Sequence, residues 1–227
     1  MGYASDHGIK ALCFDIDGTF YPKNQMMIRL AVSSLAHLPF AIKYNSMRQR
    51  LRQETGFSEG SCADFAALRE KESQMMYPGR DSSYFISKEE DVFRKPWEKL
   101  FQNIKPFDGV REALEEAKRE GYIIAALSDF PLLSKLEALG IADLFDFKAS
   151  AEDYGALKPS SRPFSQMLKA LGVKADEALY TGDSRSKDID GAKNIGMHTA
   201  LISRSVKVYN KADVIFSSWE EFRKIVL

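Results

Sequence analysis

The sequence has few cysteines, no net charge and no long apolar run, and each absence excludes a class of protein. Two cysteines among 227 residues are too few for a disulfide framework. Lys+Arg and Asp+Glu both number 32, which argues against a general nucleic-acid binder because such proteins carry a basic excess. The most apolar stretch, residues 28–44, is interrupted by Arg29, Pro39 and Lys43, so we expect no membrane span. Residues 1–8 lack a secretion signal, and we therefore expect a cytoplasmic protein.

From residue 105 onward, short apolar runs alternate with stretches of helical periodicity. After a first strand in the run that ends at Phe14, we predict strands at 122–127, 145–149, 178–181, 198–202 and 214–216. Strands that alternate with helices predict a parallel sheet covered on both faces, as in doubly wound α/β folds.

Residues 21–104 differ because they show helical periodicity and no convincing strand pattern. A capping-box pattern at residues 87–90 predicts a helix start there, with a kink at Pro96. The segment holds five of the eight methionines, 13 Lys/Arg and 10 Asp/Glu. We interpret these residues as core filler and solvated charges; the alternative is an adaptable, mildly basic surface that faces an anionic ligand.

Two aspartates end the first strand. Asp15 and Asp17 are spaced by one residue, so their side chains point the same way, and Gly18 lets the backbone leave the strand. Two carboxylates this close repel by roughly 4 kcal/mol at an intermediate dielectric. A bound cation that prefers oxygen ligands would relieve this repulsion, and the alternative is a pair of solvated acids.

Other polar residues follow the later strands. Ser128 comes at the end of the second predicted strand and Asp183 after the strand at 178–181, while Lys158 and Asp188 lie in nearby connections. Ligands of such sheets bind beyond the carboxyl ends of the strands. Each residue alone could be a cap or a turn. Together they supply a carboxylate nucleophile, a second carboxylate, a hydroxyl donor, a fixed cation and metal-binding acids.

In this order the motifs resemble those of the haloacid dehalogenase-like hydrolase superfamily, in its phosphatase branch. The four matching motifs are Asp15-Ile16-Asp17-Gly18-Thr19, Ala126-Leu127-Ser128, Lys158-Pro159, and Gly182-Asp183 with Asp188. The resemblance implies a Rossmann-like catalytic core of residues 1–20 and 105–227. It also implies a helical cap, which sets substrate specificity, at residues 21–104 between the first and second motifs.

The resemblance further implies an aspartyl-phosphate mechanism that depends on Mg²⁺. Asp15 would attack phosphorus, and Asp17 would act as general acid and then as general base. Mg²⁺ would be held by Asp15, Asp183 and the backbone carbonyl of Asp17. Asp188 would be a ligand through water or would orient the motif lysine.

The phosphate of the substrate would be bound by Ser128, Asp129 and Lys158, and Lys158 would also stabilise charge on Asp15. An acid at Asp17 separates this pattern from dehalogenases and phosphonate hydrolases, which lack it. We therefore expect a Mg²⁺-dependent phosphatase that acts on a small phosphorylated metabolite. Two alternatives stay open: a sugar phosphomutase of the same superfamily and a catalytically silent binding module on the same fold.

Overall fold

The computed structural model of the protein describes residues 2–33, 35–54, 62–132, 134–205 and 208–227. Its strands are β1 (Ala11–Phe14), β2 (Ile123–Ser128), β3 (Phe147–Ser150), β4 (Ala178–Gly182), β5 (His198–Ile202) and β6 (Val214–Phe216). Neighbouring strands are parallel and lie in the order β3-β2-β1-β4-β5-β6, the order of a Rossmann-like sheet. The predicted fold class is confirmed, and the strand positions agree with the prediction to within two residues.

Helices connect and cover the strands. They are α1 (Tyr3–Asp6), α2 (Lys23–Ser33), α3 (Leu38–Gln53), α4 (Phe65–Met76), α5 (Ser82–Glu89), α6 (Lys95–Phe101), α7 (Val110–Arg119), α8 (Lys135–Ala138), α9 (Ser161–Leu171), α10 (Asp190–Lys193) and α11 (Trp219–Val226). Within the described ranges, none of these helices combines the length and the apolar character that crossing a bilayer requires.

Side chains of β1 alternate between two apolar layers. Leu12 and Phe14 pack on the face that α7 and α11 cover, whereas Ala11 and Cys13 pack on the opposite face with Phe164 of α9. This alternation follows from the pleat of a strand. Because both faces are covered, the central strands are apolar along their length and become polar only where they end.

The segment between β1 and β2 has helices α2 to α6 and its own apolar cluster. The cluster includes Phe40, Tyr44, Leu68, Phe85 and Phe93. Met26, Met47 and Met76 are buried, so the interpretation of methionines as core filler is confirmed for these three.

The interpretation of this segment's charges as solvated is wrong for four arginines. Arg48, Arg52, Arg69 and Arg94 all lie in ion pairs, and their side chains are between 2% and 17% exposed. Helical periodicity reports which positions are apolar. It does not reveal that a charged side chain is neutralised by a partner far away in the sequence.

The predicted helix start at residues 87–90 is also wrong. Helix α5 begins at Ser82, where the Asp81 carboxylate accepts a hydrogen bond from the backbone N–H of Ser83 at 2.8 Å. A π-helical turn, Glu90–Arg94, joins α5 to α6 and stands just before Pro96, in place of the expected kink. Pro96 has no N–H to donate, so a regular α-helix cannot continue its hydrogen-bond pattern through this position.

Candidate active site

The sheet topology brings the predicted site residues to one edge. Asp15 follows β1 directly, Ser128 is the last residue of β2, and Asp183 follows the last residue of β4. Strand β1 lies between β2 and β4, and parallel strands end at the same edge. Residues more than 100 positions apart in the chain therefore become neighbours at the centre of the sheet.

Lys158 lies at the centre of the buried part of the site. Its ammonium donates to Asp15 Oδ1 at 2.6 Å, to Asp188 Oδ1 at 2.7 Å and to the hydroxyl of Tyr180 at 3.1 Å. The lysine side chain is fully buried. Burial alone would lower the pKa of Lys158, but the Asp15 and Asp188 carboxylates outweigh it and raise the pKa well above its ordinary value. Lys158 is thus a fixed cation.

Three carboxylates beside Lys158 form a cluster that fits a metal ion. One ligand atom from each of Asp15, Asp183 and Asp188 lies within 4.8 Å of the others. The donors are all carboxylate oxygens and come from three separate elements, a set that suits a hard divalent cation. Asp17 contributes no side-chain atom to this cluster, which leaves its backbone carbonyl as the predicted ligand.

Two glycines allow the acids of the cluster to approach. A Cβ atom at Gly18 would lie 2.4 Å from Asp183 Oδ2, and Gly18 also has a φ of +96°. A Cβ atom at Gly182 would lie 2.4 Å from the Cβ atom of Asp188. A side chain at either position would push an acid of the cluster away, so both glycines are required sterically.

Asp17 occupies a different environment from Asp15. The fully buried ammonium of Lys135 donates to both oxygens of Asp17 at 3.0 and 2.7 Å, and the hydroxyl of Tyr21 donates to the same carboxylate. Ser128 Oγ also donates to Asp17 Oδ2, at 3.3 Å. Lys135 in turn lies 4.7 Å from the ring centroid of Trp97 in α6. Asp17 is thus linked to the helical segment through this lysine.

The pKa values of the two aspartates shift in opposite directions. Burial raises the pKa of Asp15, although the nearby Lys158 ammonium acts against the rise. Burial also acts to raise the pKa of Asp17, but Lys135 and Tyr21 outweigh it and hold the pKa below its ordinary value. The environment therefore favours the carboxylate form of Asp17 at neutral pH.

Asp129 makes contacts that differ from the predicted contact with phosphate. Its Oδ1 accepts a hydrogen bond from the backbone N–H of Lys158 at 2.8 Å, and its Oδ2 accepts one from Arg52 Nη2 at 2.9 Å. Burial works against ionisation, yet Arg52 and Lys187 lower the pKa of Asp129. Both oxygens of this anion are therefore engaged by the protein itself.

Several described residues of the site were not among the sequence predictions. Five of them contact its acids: Tyr21 and Lys135 contact Asp17, Lys23 contacts Asp183, and Arg52 and Lys187 contact Asp129. Another, Tyr180, contacts Lys158. Tyr21 and Lys23 lie two and four positions after the first motif, and Lys135 lies seven positions after the second. Proximity to the first motif was an available signal for Tyr21 and Lys23, whereas nothing in the sequence around Arg52 or Lys135 marks these two residues.

Fold and site together define a Rossmann-like α/β protein with an aspartate-rich centre at the carboxyl edge of its sheet. The sequence model described as "Haloacid dehalogenase-like hydrolase" matches residues 12–202, which is most of the chain. The chain belongs to this family.

Known relatives agree with this membership, and a solved structure agrees with the fold. The chain is 28% identical over 208 residues to a ribulose-1,5-bisphosphate 5-phosphatase from Halopiger xanaduensis, a match that covers 86% of this chain and 85% of the relative. It is 28% identical over 213 residues to a glyceraldehyde 3-phosphate phosphatase from Methanopyrus kandleri, with 86% and 84% covered. A haloacid dehalogenase-like phosphatase structure from Thermococcus onnurineus has a TM-score of 0.61 at 24% identity, with 95% and 97% covered, and supports the fold.

Proposed function

We propose that the protein is a Mg²⁺-dependent phosphatase that hydrolyses a small phosphate monoester through an aspartyl-phosphate on Asp15. The observation that carries the proposal is the position of Asp15. One of its oxygens is held by the buried Lys158 ammonium, and its carboxylate belongs to the cluster with Asp183 and Asp188. A carboxylate fixed in this way, at the carboxyl edge of a parallel sheet, is suited to nucleophilic attack on phosphorus.

In the first step, an Asp15 oxygen forms a bond to phosphorus while the bond from phosphorus to the leaving oxygen breaks. Asp17 gives its proton to that leaving oxygen, which departs as an alcohol. Because Lys135 and Tyr21 favour the anion of Asp17, only a minority of Asp17 carries the proton at neutral pH. Asp15, Asp183 and Asp188 would hold Mg²⁺, which offsets carboxylate repulsion and polarises the phosphoryl group when bound.

Charge on the transferring group is stabilised by residues that already lie at the site. Lys158 is close enough to Asp15 to face the phosphoryl oxygens, and the Ser128 hydroxyl lies beside Asp17. We assign Asp129 a positioning role, since its carboxylate fixes the backbone of Lys158 and pairs with Arg52.

In the second step, water attacks phosphorus and the bond between phosphorus and Asp15 breaks. Asp17, now a carboxylate, accepts the proton of the water. The contacts of Asp17 with Lys135 and Tyr21 suit this step, because they keep the base in its ionised form.

Residues 21–104 serve, in this proposal, as a cap over the site, and residues 1–20 and 105–227 as the catalytic core. The contacts of Lys23 with Asp183 and of Arg52 with Asp129 support this division. Both cations belong to residues 21–104, the inserted segment, and both acids belong to the remainder of the chain. A cap admits only small substrates to the site and excludes water from it. The two relatives named above act on phosphorylated sugars, and we propose a substrate of that size class in the cytoplasm.

Phosphate release from a panel of small phosphate esters, measured with EDTA and with Mg²⁺, tests the proposal. A phosphatase releases phosphate freely with Mg²⁺ and loses this activity in EDTA. A phosphomutase would release it slowly, and a binding module would release none. Full activity in EDTA would remove the metal assignment, and the absence of turnover across the panel would contradict the enzymatic proposal.

A further inference from the structure

Lys23 places an ammonium group on one acid of the candidate metal cluster. It is the first residue of α2, and its Nζ donates to both oxygens of Asp183, at 3.0 and 2.9 Å. Asp15 and Asp188, the other two acids of the cluster, also act electrostatically on Lys23. A divalent cation held by Asp183 would therefore need the same carboxylate that Lys23 occupies.

The ion pairs of the site are balanced without a metal. Among the described residues, five carboxylates of the site pair with five cations of the protein. The carboxylates are Asp15, Asp17, Asp129, Asp183 and Asp188, and the cations are Lys23, Arg52, Lys135, Lys158 and Lys187. A divalent cation alone would add two positive charges to this set, and a phosphate dianion alone would add two negative charges. The two together would restore the balance.

We propose that Lys23 couples the binding of metal and of phosphate. Its ammonium neutralises Asp183 in the metal-free protein, is displaced when a divalent cation takes that carboxylate, and then pairs with the phosphate of the substrate. Metal and phosphate thereby strengthen each other's binding. The phosphate half of this coupling rests on the proposed function, whereas the competition for Asp183 does not.

The surroundings of Lys23 allow such a movement, and those of Lys158 do not. Lys158 is fully buried and has four acceptor atoms within hydrogen-bonding distance of its ammonium, so it is fixed. The Lys23 side chain is 42% exposed, and Asp183 is its one hydrogen-bond partner among the described residues. A lysine ammonium on a flexible stem can exchange partners at small cost when it is exposed to water in this way.

Calorimetric titration with Mg²⁺, with and without inorganic phosphate, tests the coupling independently of turnover. For the unchanged protein we expect phosphate to tighten Mg²⁺ binding by about tenfold, which lies within the usual range for coupled sites. Lys23→Met should bind Mg²⁺ alone about tenfold more tightly than the unchanged protein and should lose most of the phosphate effect. Equal Mg²⁺ affinity of the variant and the unchanged protein, or weaker affinity in the variant, would overturn the proposal.

Two variants serve as matched controls. Lys187→Met removes a positive charge that also acts on Asp15. Lys187 lies 3.8 Å from Asp129, outside the metal cluster, so its loss should increase the Mg²⁺ affinity much less than the loss of Lys23. Lys118→Met removes a lysine of similar exposure, 40%, that pairs with Asp146, and it should leave the Mg²⁺ affinity unchanged. If Lys187→Met increases the Mg²⁺ affinity as much as Lys23→Met does, the effect comes from the general loss of positive charge. The proposed displacement of Lys23 from Asp183 is then wrong.

The outcomes also separate this inference from the proposed function. If no phosphate ester is hydrolysed but Lys23→Met binds Mg²⁺ more tightly, the competition for Asp183 stands and the phosphatase proposal fails. If turnover depends on Mg²⁺ but the Mg²⁺ affinity of Lys23→Met is unaltered, the phosphatase proposal stands and the role of Lys23 is wrong.

Discussion

Two regions of the molecule gather charged side chains, and they are built differently. At the sheet edge, the charges follow largely from strand order, because Asp15, Asp129 and Asp183 each come directly after a strand. In the inserted segment, arginines of α3, α4 and the π-helical turn meet glutamates of the same segment and Glu152 of the core. Arg48 pairs with Glu152 there, and both side chains are only 2% exposed. By contrast, Asp17 and Asp183 at the sheet edge are 18% and 24% exposed.

The difference in side-chain exposure indicates that the two groups of charges have different roles. At the sheet edge, Asp17 and Asp183 keep some access to solvent and so to a ligand, whereas the side chains of Asp15 and Asp188 are 8% and 1% exposed. The glutamates Glu89 and Glu152 are enclosed, and Arg94 contacts both of them at 2.9 and 3.1 Å. Buried ion pairs cost desolvation energy, so the enclosed network is better suited to fixing the helical segment on the core than to adding net stability.

The largest expected effect is on the chemistry of the sheet edge. Asp17→Asn keeps the nucleophile Asp15 but removes the acid and base. With an alkyl phosphate, whose leaving group needs a proton, formation of the phosphoryl-enzyme should slow by ~10²–10⁴-fold. With an aryl phosphate, which leaves as a stabilised anion, this step should slow much less, and the intermediate should accumulate as a burst. Rapid-quench measurements with both esters give the two rates, and equal slowing would show that Asp17 is not the general acid.

A smaller effect is expected when the enclosed network loses one partner. Arg48→Met leaves Glu152 with one fewer cation in a buried setting and should lower the free energy of unfolding by about 3–5 kcal/mol. Arg50→Met is the matched control, since Arg50 is exposed on the same helix and its loss should change stability by less than about 0.5 kcal/mol. Urea unfolding gives the free energy of unfolding of both variants. Similar losses of stability in the two would contradict a structural role for the network.

A third expected effect is a pH dependence of stability within the same network. Burial raises the pKa of Glu72 to about 8, despite the opposing effect of Arg48. The folded protein therefore binds a proton at Glu72 that the unfolded chain releases near pH 4.5, and stability should fall as the pH rises from about 4.5 to 8.

Glu72→Gln removes this titration. Its stability relative to the unchanged protein should therefore increase between pH 6 and pH 9. Glu70→Gln, on the exposed face of the same helix, should show no such trend. Thermal unfolding across this pH range compares the three proteins, and parallel curves for Glu72→Gln and the unchanged protein would place the pKa of Glu72 near its ordinary value.

The two regions also differ in how far the sequence predicted them. The sequence located β5 and β6 because each is a short apolar run. It located the site residues that follow β1, β2 and β4 because an apolar run ends just before them. Lys135 could not be predicted, because a single lysine near the start of a helix usually faces solvent, and only the tertiary fold buries it against Asp17 and Trp97.

The charge network of the inserted segment was the least predictable part. Arg48 and Glu152 are 104 positions apart, and no local pattern relates them. The start of α5 shows the same limit at short range. Two capping patterns compete there, and the structure uses Asp81, six positions before the serine of the other pattern.

Phosphorylation of Asp15 is the central claim, and mass spectrometry of the quenched protein tests it most directly. The Asp17→Asn variant, mixed with an aryl phosphate and Mg²⁺ and quenched in acid, should gain the mass of one phosphoryl group. Peptide mapping should place that group on Asp15, and the Asp15→Asn/Asp17→Asn double variant should gain none. A phosphoryl group on another residue, or turnover of the ester with no phosphoryl-enzyme at any quench time, would contradict the account.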